Sequence, residues 1–376
     1  MKGPGAKCII RLLEKRPRYQ ASAANPTMSQ SLSDPRKQSA APARVAVSYR
    51  PTNSLPESSD SVLARVWFGG SPQAVVPTVV PGGLHIGVAL DPIGAAPELV
   101  ETWLAQGPVT LGQDGSVRFA YDGQHVFAVV EADERSHGGL LATAEFVYAE
   151  VRRFQEASPG RHILRMWNYL DAANEGAGDM ERYRQFCVGR ARGLGDTLVE
   201  SSPAASAVGR QCTTHSLQVY WLAGHLAGIA VENPRQVSAY RYPHTYGPIS
   251  PIFSRATVAP DDTLLISGTA SILGHASHHI GDVTAQLDET LRNLDALIGQ
   301  AAKQRPGLRT TLSAETQLKI YVRDEAQIEN IDAHLRKRMP GAKAMYLAAD
   351  ICRKELLLEI ECAQEAGPRA TGLGPR

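Results

Sequence analysis

The sequence predicts an α+β fold of two similar units, each a mixed β-sheet with two helices packed on one face. Three observations carry this. Apolar residues make up 43% of the 376-residue chain, enough for a sizeable core and for about two or three domains at ~100–200 residues each. Helical and strand periodicities alternate along the chain rather than segregating. The same order, strand–helix–strand–helix–strand–strand, is read in both halves, which suggests duplication.

In the first half, Leu140 to Phe154 (LLATAEFVYAEVRRF) reads as a helix and His162 to Leu170 (HILRMWNYL) as a strand. Asp179 to Arg192 is a second helix, and Ala204 to Ala223 holds a strand region that includes Leu217 to Leu222. In the second half, Asp262 to Thr269 (DTLLISGT) is an apolar run ending near Gly268, the pattern of a buried strand. Val283, Leu287, Leu291, Leu294 and Leu297 recur with gaps of three or four, one face of a helix over 281–300. Gln317 to Val322 alternates as a strand does. A second helix spans Asp324 to Met339 and stops at Pro340, which cannot continue it. Two short strands follow, Ala344 to Cys352 and Leu356 to Cys362. Residues 1–42 and 364–376 are rich in small residues and proline without a period, and read as a disordered N-terminal extension and tail.

Composition narrows the function. Lys plus Arg is 39 and Asp plus Glu is 38, so no net field favours nucleic acid or an anionic membrane as partner. No run approaches the ~20 apolar residues of a membrane-spanning helix, and Cys8-Ile9-Ile10 is too short for a signal-peptide core. The five cysteines (Cys8, Cys187, Cys212, Cys352, Cys362) are odd in number and lack CxxC spacing. Reduced thiols in the cytoplasm are expected, with no disulfide frame and no zinc site. His275, His278 and His279 lack helical i, i+4 pairing and read as a polar loop entering a helix at Asp282, so no metal is expected. Neither a GxGxxG or P-loop context nor a GxSxG elbow occurs.

Two features carry chemistry. On the last strand, Leu358, Ile360 and Cys362 fall on one face, and Glu359 and Glu361 on the other. Charge on alternate strand positions usually faces solvent. With a two-residue turn at Lys354-Glu355, however, Cys352 pairs with Leu357 and lies diagonal to Glu359, so a thiol and a carboxyl share a surface. A carboxyl in a partly apolar site can serve as a general acid. The second feature is the segment Gln236 to Arg255, QVSAYRYPHTYGPISPIFSR. Its prolines and glycine make a rigid irregular loop. Tyr240, Arg241, Tyr246 and Arg255 within it suit an anionic organic ligand, because Arg holds a carboxylate bidentately and Tyr stacks and donates. A packed connection between units is the plain alternative.

The second half resembles the reactive-intermediate deaminase (RidA, YjgF-like) superfamily over LLISGTA, Gly281-Asp282, LKIYVRD and LEIECA. The superfamily's deaminases carry an Arg shortly before the last hairpin, where this chain has Ala344. A broader resemblance, from about Val45 to Ala363, is to the chorismatases, which are built from two RidA-like units. It rests on ILRMWNYL, ERYRQFCVGR, ENPRQVSAYRYPHTYGPISPIFSR, ISGTASILG and ADICRKELLLEIE. The resemblance implies RidA-like units over 43–210 and 211–363, the second catalytic, acting on chorismate without cofactor or metal. It implies Glu359 as the acid that cleaves an enolpyruvyl ether and releases pyruvate. Hydroxybenzoate-forming members carry Cys at the Cys352 position, so 3-hydroxybenzoate or 4-hydroxybenzoate is the implied product. A dihydrodiol-forming hydrolase, an imine deaminase and a non-catalytic ligand-binding member are the competing expectations, and a homo-oligomer is open.

Overall fold

The computed structural model describes residues 44, 46–51, 62–69, 78–80, 83–94, 99–105, 107–195 and 202–365. The expected extension over 1–42 lies outside them, as does the expected tail beyond Glu365. No helix among the described residues is long and apolar enough to cross a membrane.

Five strands come first: β1 (Ala46–Pro51), β2 (Val62–Phe68), β3 (Thr78–Val80), β4 (Gly83–Val88) and β5 (Leu99–Leu104). They form one sheet in the order β1-β5-β2-β4-β3, so the span 43–210 holds a sheet with no helix among its described residues as well as a helix-backed one. The second sheet is built from β6 (Thr110–Asp114), β7 (Val117–Tyr121), β8 (His125–Asp133), a short α1 (Glu134–His137), α2 (Leu140–Ala157), β9 (His162–Asp171), α3 (Arg182–Leu194), β10 (Ala204–Arg210) and β11 (Ser216–Gly224). The third follows with β12 (Ile229–Val231), β13 (Ala256–Val258), β14 (Leu264–Thr269), the small hairpin β15 (Ile272–Leu273) and β16 (Ala276–Ser277), α4 (Val283–Gln304), β17 (Gln317–Val322), α5 (Ile328–Arg338), β18 (Lys343–Ala348) and β19 (Leu358–Gln364).

The second and third sheets share one topology. Their orders are β10-β9-β11-β8-β7-β6 and β12-β13-β14-β19-β17-β18. Numbered within each unit, both read 1-2-3-6-4-5. In both, the fourth and fifth strands pair in parallel, β9 with β10 and β17 with β18, because a helix crosses over between them. The two units expected from the repeated order are thus present as a repeated topology. The expected division at 210/211 falls before β11, whose hydrogen bonds join it to β8 and β9.

Each helix pair covers one sheet face. In the third unit α4 and α5 bury Leu287, Leu291, Leu294, Ile298, Ile331 and Leu335 against Ile266, Leu318, Ile320, Leu358 and Ile360. Asp282 caps α4 by accepting the Ala285 amide at 3.0 Å, as the sequence predicts. The opposite faces of all three sheets meet in a common core. It joins Val66, Ile86 and Trp103 to Phe127, Trp167, Tyr169 and Tyr220, and to Leu265, Tyr321 and Leu347. Strands with both faces covered are buried throughout, and so are Glu359 and Glu361, which are only 5% and 3% exposed. The solvent-facing reading of that strand face therefore fails: another sheet covers it.

The last two strands also differ from expectation. β18 and β19 do not form a hairpin. β17 lies between them, parallel to β18 and antiparallel to β19. Residues 349–357 are a connection that climbs over the sheet end, and Cys352 belongs to it rather than to a strand. In the true register Glu359 stands opposite Tyr321 and Glu361 opposite Lys319.

Four charged side chains sit in the common core. Lys319 Nζ lies 2.8 Å from Glu361 and also pairs with Glu101. Arg165 reaches Glu361 at 2.6 Å. Burial pushes the Lys319 ammonium toward losing its proton, but the two carboxylates outweigh burial and hold its pKa well above the ordinary value. Removing one member of such a buried cluster strands the others. Lys319→Met is expected to lower the unfolding free energy by about 3–5 kcal/mol, measured by urea denaturation. A loss within ~0.5 kcal/mol, the range of neutral surface changes, would show that the pairs do not bear on stability.

Candidate active site

Sequence first dictates a break in the strand pairing. β14 and β19 are in register at Ile266↔Cys362 and again at Thr269↔Ile360. Ser267 and Gly268 on β14 therefore face the single residue Glu361 on β19, a β-bulge. The bulge turns the Ser267 amide to the Arg255 carbonyl (3.0 Å) and the Gly268 amide to the Ser206 hydroxyl (2.9 Å). It also makes room. A Cβ at Gly268 would lie 1.8 Å from Glu359 Oε1, so only glycine admits the carboxyl there.

Glu359 opens into a cavity of about 400 Å³ between the second and third sheets. The second unit contributes Tyr183, Arg184 and Arg190 from α3 and Ser206 from β10; the third contributes Gly268, Tyr242, Tyr246, Arg255, Cys352 and Arg353. Arg255 is 4% exposed. Its Nη2 donates to the Tyr242 hydroxyl (2.7 Å) and the Val237 carbonyl (3.0 Å), while its Nε is buried with no protein partner. Arg190 is held over the Tyr148 ring at 5.0 Å, and its Nε too is buried without a partner. Arg353 stacks 4.0 Å from the Tyr246 ring centre and donates to the His275 carbonyl at 2.9 Å. Buried guanidinium donors left unsatisfied by protein are costly unless a ligand takes them.

The electrostatics separate the two strand carboxyls. Burial, and then the Glu361 charge, push the Glu359 carboxyl up to about 8 against the weaker pull of Arg165 and Arg255. Glu361 is also pushed up by burial, but Lys319 and Arg165 outweigh that and hold it at about 2. One carboxyl therefore keeps its proton near neutrality while its neighbour is ionised. Burial and the neighbouring Glu359 raise the Cys352 thiol to about 12, so it is a thiol and not a nucleophilic thiolate.

Of the residues singled out in the sequence, Glu359, Cys352, Tyr246 and Arg255 line this cavity together. Tyr240 and Arg241 do not: the 3-10 turn Ala239–Arg241 leaves Arg241 exposed over the Tyr240 ring at 5.6 Å, and Tyr242 takes the inward position instead. Cys352 reaches Glu359 from the 349–357 connection, not as a strand diagonal. His275 accepts or donates at the rim, 3.2 Å from the Tyr246 hydroxyl, and His279 lies 3.6 Å from Glu289. No group of His, Cys, Asp and Glu among the described residues has the arrangement of a metal site. Ala344 on β18 pairs with Leu318 on β17 and packs against the helix-side core, so it offers no replacement for the deaminase Arg. Gly268, Ser206, Tyr183, Arg190 and Arg353 were not foreseen. All but Ser206 lie in segments that carry the family resemblance, but nothing in their local spacing distinguishes them.

Fold and site together define a small-molecule enzyme with a buried carboxylic acid and a cationic cavity. A family model described as Chorismatase FkbO/Hyg5-like, N-terminal, matches residues 101–223. A 3-hydroxybenzoate synthase of Streptomyces hygroscopicus is 32% identical over 278 residues, which are 71% of this chain and 81% of that protein. A chorismatase of the same organism is 34% identical over 269 residues, 69% of this chain and 78% of the relative. A chorismatase crystal structure superposes with a TM-score of 0.77 at 31% identity, over 85% of this chain and 98% of that one. The chain belongs to the chorismatase family.

Gly268→Ala tests the geometry directly. The methyl group is expected to displace the Glu359 carboxyl and lower turnover at least tenfold, on the order of ~1.4 kcal/mol of transition-state stabilisation. Circular dichroism and the melting temperature report whether the fold is kept. Wild-type turnover in the folded variant would mean that the carboxyl works from another position.

Proposed function

We propose that the chain cleaves the enolpyruvyl ether of chorismate, releasing pyruvate and 3-hydroxybenzoate, 4-hydroxybenzoate or both. The observation that carries this reading is the proton-bearing Glu359 facing a cavity rich in arginine. Chorismate has two carboxylates, one on the ring and one on the enolpyruvyl group. Arg255, with a buried unpartnered Nε, is the first anchor, and Tyr246 at the rim packs against the ligand. Arg190 and Arg353 supply further positive charge around the same space. Tyr240 and Arg241 lie outside the lining, and no contact with substrate is proposed for them.

Glu359 delivers its proton to the methylene carbon of the enol ether. The ether carbon becomes an oxocarbenium-like centre, and the neighbouring carboxylate and buried dipoles stabilise that charge. The ring–ether C–O bond breaks and pyruvate leaves; displacement by the neighbouring ring hydroxyl moves that oxygen onto the ether-bearing carbon and leads toward the 3-isomer, whereas elimination with the hydroxyl left in place leads toward the 4-isomer. Aromatisation then releases a ring proton, which restores Glu359. On balance the atoms of chorismate are divided between pyruvate and hydroxybenzoate, and no water is consumed. Cys352, beside Glu359, keeps the cation from water: a thiol is small and poorly hydrated. The same placement distinguishes this reading from a dihydrodiol-forming hydrolase, where water must reach the cation.

Glu359→Gln is expected to lower pyruvate release by ~10²–10⁴-fold while chorismate still binds, as read by a coupled pyruvate assay and by calorimetry. Because the protonated form is the working form, kcat/KM of the wild type should be level at acid pH and fall above about 8. Near-normal turnover in the variant would remove Glu359 from the acid role. Cys352→Ala opens space for about one water. Chromatography at saturating chorismate should then show partial turnover with products shifted toward the dihydrodiol, and an unchanged product ratio would leave Cys352 as a packing residue.

A further inference from the structure

Glu361 is not among the residues that line the cavity, yet it is the most heavily anchored carboxylate beside it. Oε2 accepts from Arg165 Nη2 and from the Ser206 hydroxyl, both at 2.6 Å. Oε1 accepts from the Trp167 indole at 2.8 Å and lies 2.8 Å from Lys319 Nζ. Lys319 is held in turn by Glu101, which accepts from the Trp103 indole at 2.6 Å. The charges of Glu101, Lys319, Glu361 and Arg165 cancel. The quartet is therefore complete without Glu359, and an ionised Glu359 would be an extra negative charge against it. Ser206 closes the link: the hydroxyl that donates to Glu361 also accepts the Gly268 amide, directly under the Glu359 carboxyl.

Taking the acid role of Glu359 proposed above as its basis, we propose that Glu361 is a positioning residue for the proton-transfer step. It is an anion locked two residues along the same strand face, and it keeps Glu359 carrying the proton that Glu359 must deliver. Lys319 and Arg165 hold that anion in place. A purely structural role would need the salt bridges but not their sign next to Glu359. The groups that face Glu359 from each packed element are few. Arg165 approaches from β9, but it is committed to Glu361 and Ser206. Arg255 approaches from the connector, committed in part to Tyr242 and Val237. Tyr183 and Arg190 line the cavity from α3, Cys352 comes from the 349–357 connection, and Tyr321 stands across on β17. Glu181 and Glu355 also line the cavity, with Arg184, Arg353 and Lys354, but Glu361 is the acid on the strand face of Glu359 itself, and its like charge opposes ionisation of Glu359.

The test reads the proton on Glu359 in two ways, by the alkaline limb of kcat/KM with chorismate and by infrared titration of substrate-free protein. The infrared signal is the protonated-carboxyl stretch that is lost in Glu359→Gln. In Glu361→Gln both are expected to move down by about one pH unit, so that activity falls about fivefold near pH 8 and about tenfold near pH 9 while activity at acid pH and KM change little. The double variant Glu361→Gln with Lys319→Met removes one charge of each sign, leaves Glu101 with Arg165, and should show the same shift with better stability. Glu361→Asp keeps the charge and should restore the wild-type limb. Unmoved infrared and activity limbs in a folded Glu361→Gln or double variant would overturn the proposal. Loss of fold in all three variants would also overturn it, by assigning Glu361 to structure alone. If wild-type protein does not cleave chorismate but the infrared titration still shifts, the reaction assignment falls and the coupling between the two carboxyls stands.

Discussion

Everything in this molecule hangs on the burial of the second sheet faces. A single antiparallel sheet backed by helices can leave its other face in water. Here three sheets turn those faces toward one another, so any charge on them loses its hydration and must find a partner. The Glu101–Lys319–Glu361–Arg165 quartet is the result. The quartet draws its members from β5, β17, β19 and β9, and so ties all three sheets at one point. Its geometry is saturated: every Glu361 oxygen has two donors. Such a cluster adds little net stability over apolar packing, but it penalises any sheet arrangement that separates its members.

The site follows from the one carboxyl that the quartet leaves out. Glu359 shares the strand face of Glu361 but has no cation of its own, and so it stays protonated. The bulge at Ser267-Gly268 interrupts the ladder beside it, and the missing side chain of Gly268 makes room for the carboxyl against backbone. Facing it, Arg255 and Arg190 each carry a buried donor with no protein partner. A neutral acid and cations with donors unsatisfied by protein face one another across the cavity. The dianionic substrate proposed above would satisfy those cations, and the neutral acid adds no charge against it.

Much of this was legible in the sequence, and the losses have physical causes. The helices and strands of the third unit follow from strong periodicity: Leu287, Leu291, Leu294 and Leu297 mark one face of α4, and Gln317–Val322 is read with its observed bounds. The alternation that separates Glu359 from Leu358 and Ile360 was also plain. What covers the Glu359 face was not, because a one-sided polar pattern looks the same whether water or another polar-bearing sheet lies over it. The hairpin failed for a related reason. Strand order is a long-range property, and the insertion of β17 between β18 and β19 leaves no mark on the residues at 349–357. Cys352 and Glu359 were nevertheless brought together, though by a connection rather than by a ladder. The five-stranded sheet over Ala46–Leu104 has no helix among its described residues to punctuate it and was absorbed into its neighbour. Arg190 and Arg353 were invisible because a buried arginine that stacks on a tyrosine has the same local spacing as a surface one.

The repeated topology explains why the acid occurs once. β9 and β17 hold the same place in their units, and laying NYL of β9 on IYV of β17 puts Tyr169 on Tyr321. These two hydroxyls meet at 3.2 Å in the common core. In the third unit Tyr321 stands opposite Glu359; in the second, Tyr169 stands opposite Gln218. The next facing pair is Lys319 with Glu361 in one unit and Trp167 with Tyr220 in the other. The second unit has thus an amide in place of the acid and two stacked aromatic rings, 4.8 Å apart, in place of the ion pair. Its β8–β11 ladder also runs without a bulge, so no backbone opens above Gln218. That amide donates instead to the Gly87 carbonyl at 2.9 Å and fastens the five-stranded sheet. An amide carries no transferable proton at neutral pH and a closed ladder admits no ligand. The strand position that holds the proton-bearing carboxyl in one unit therefore serves as an inter-sheet clasp in the other.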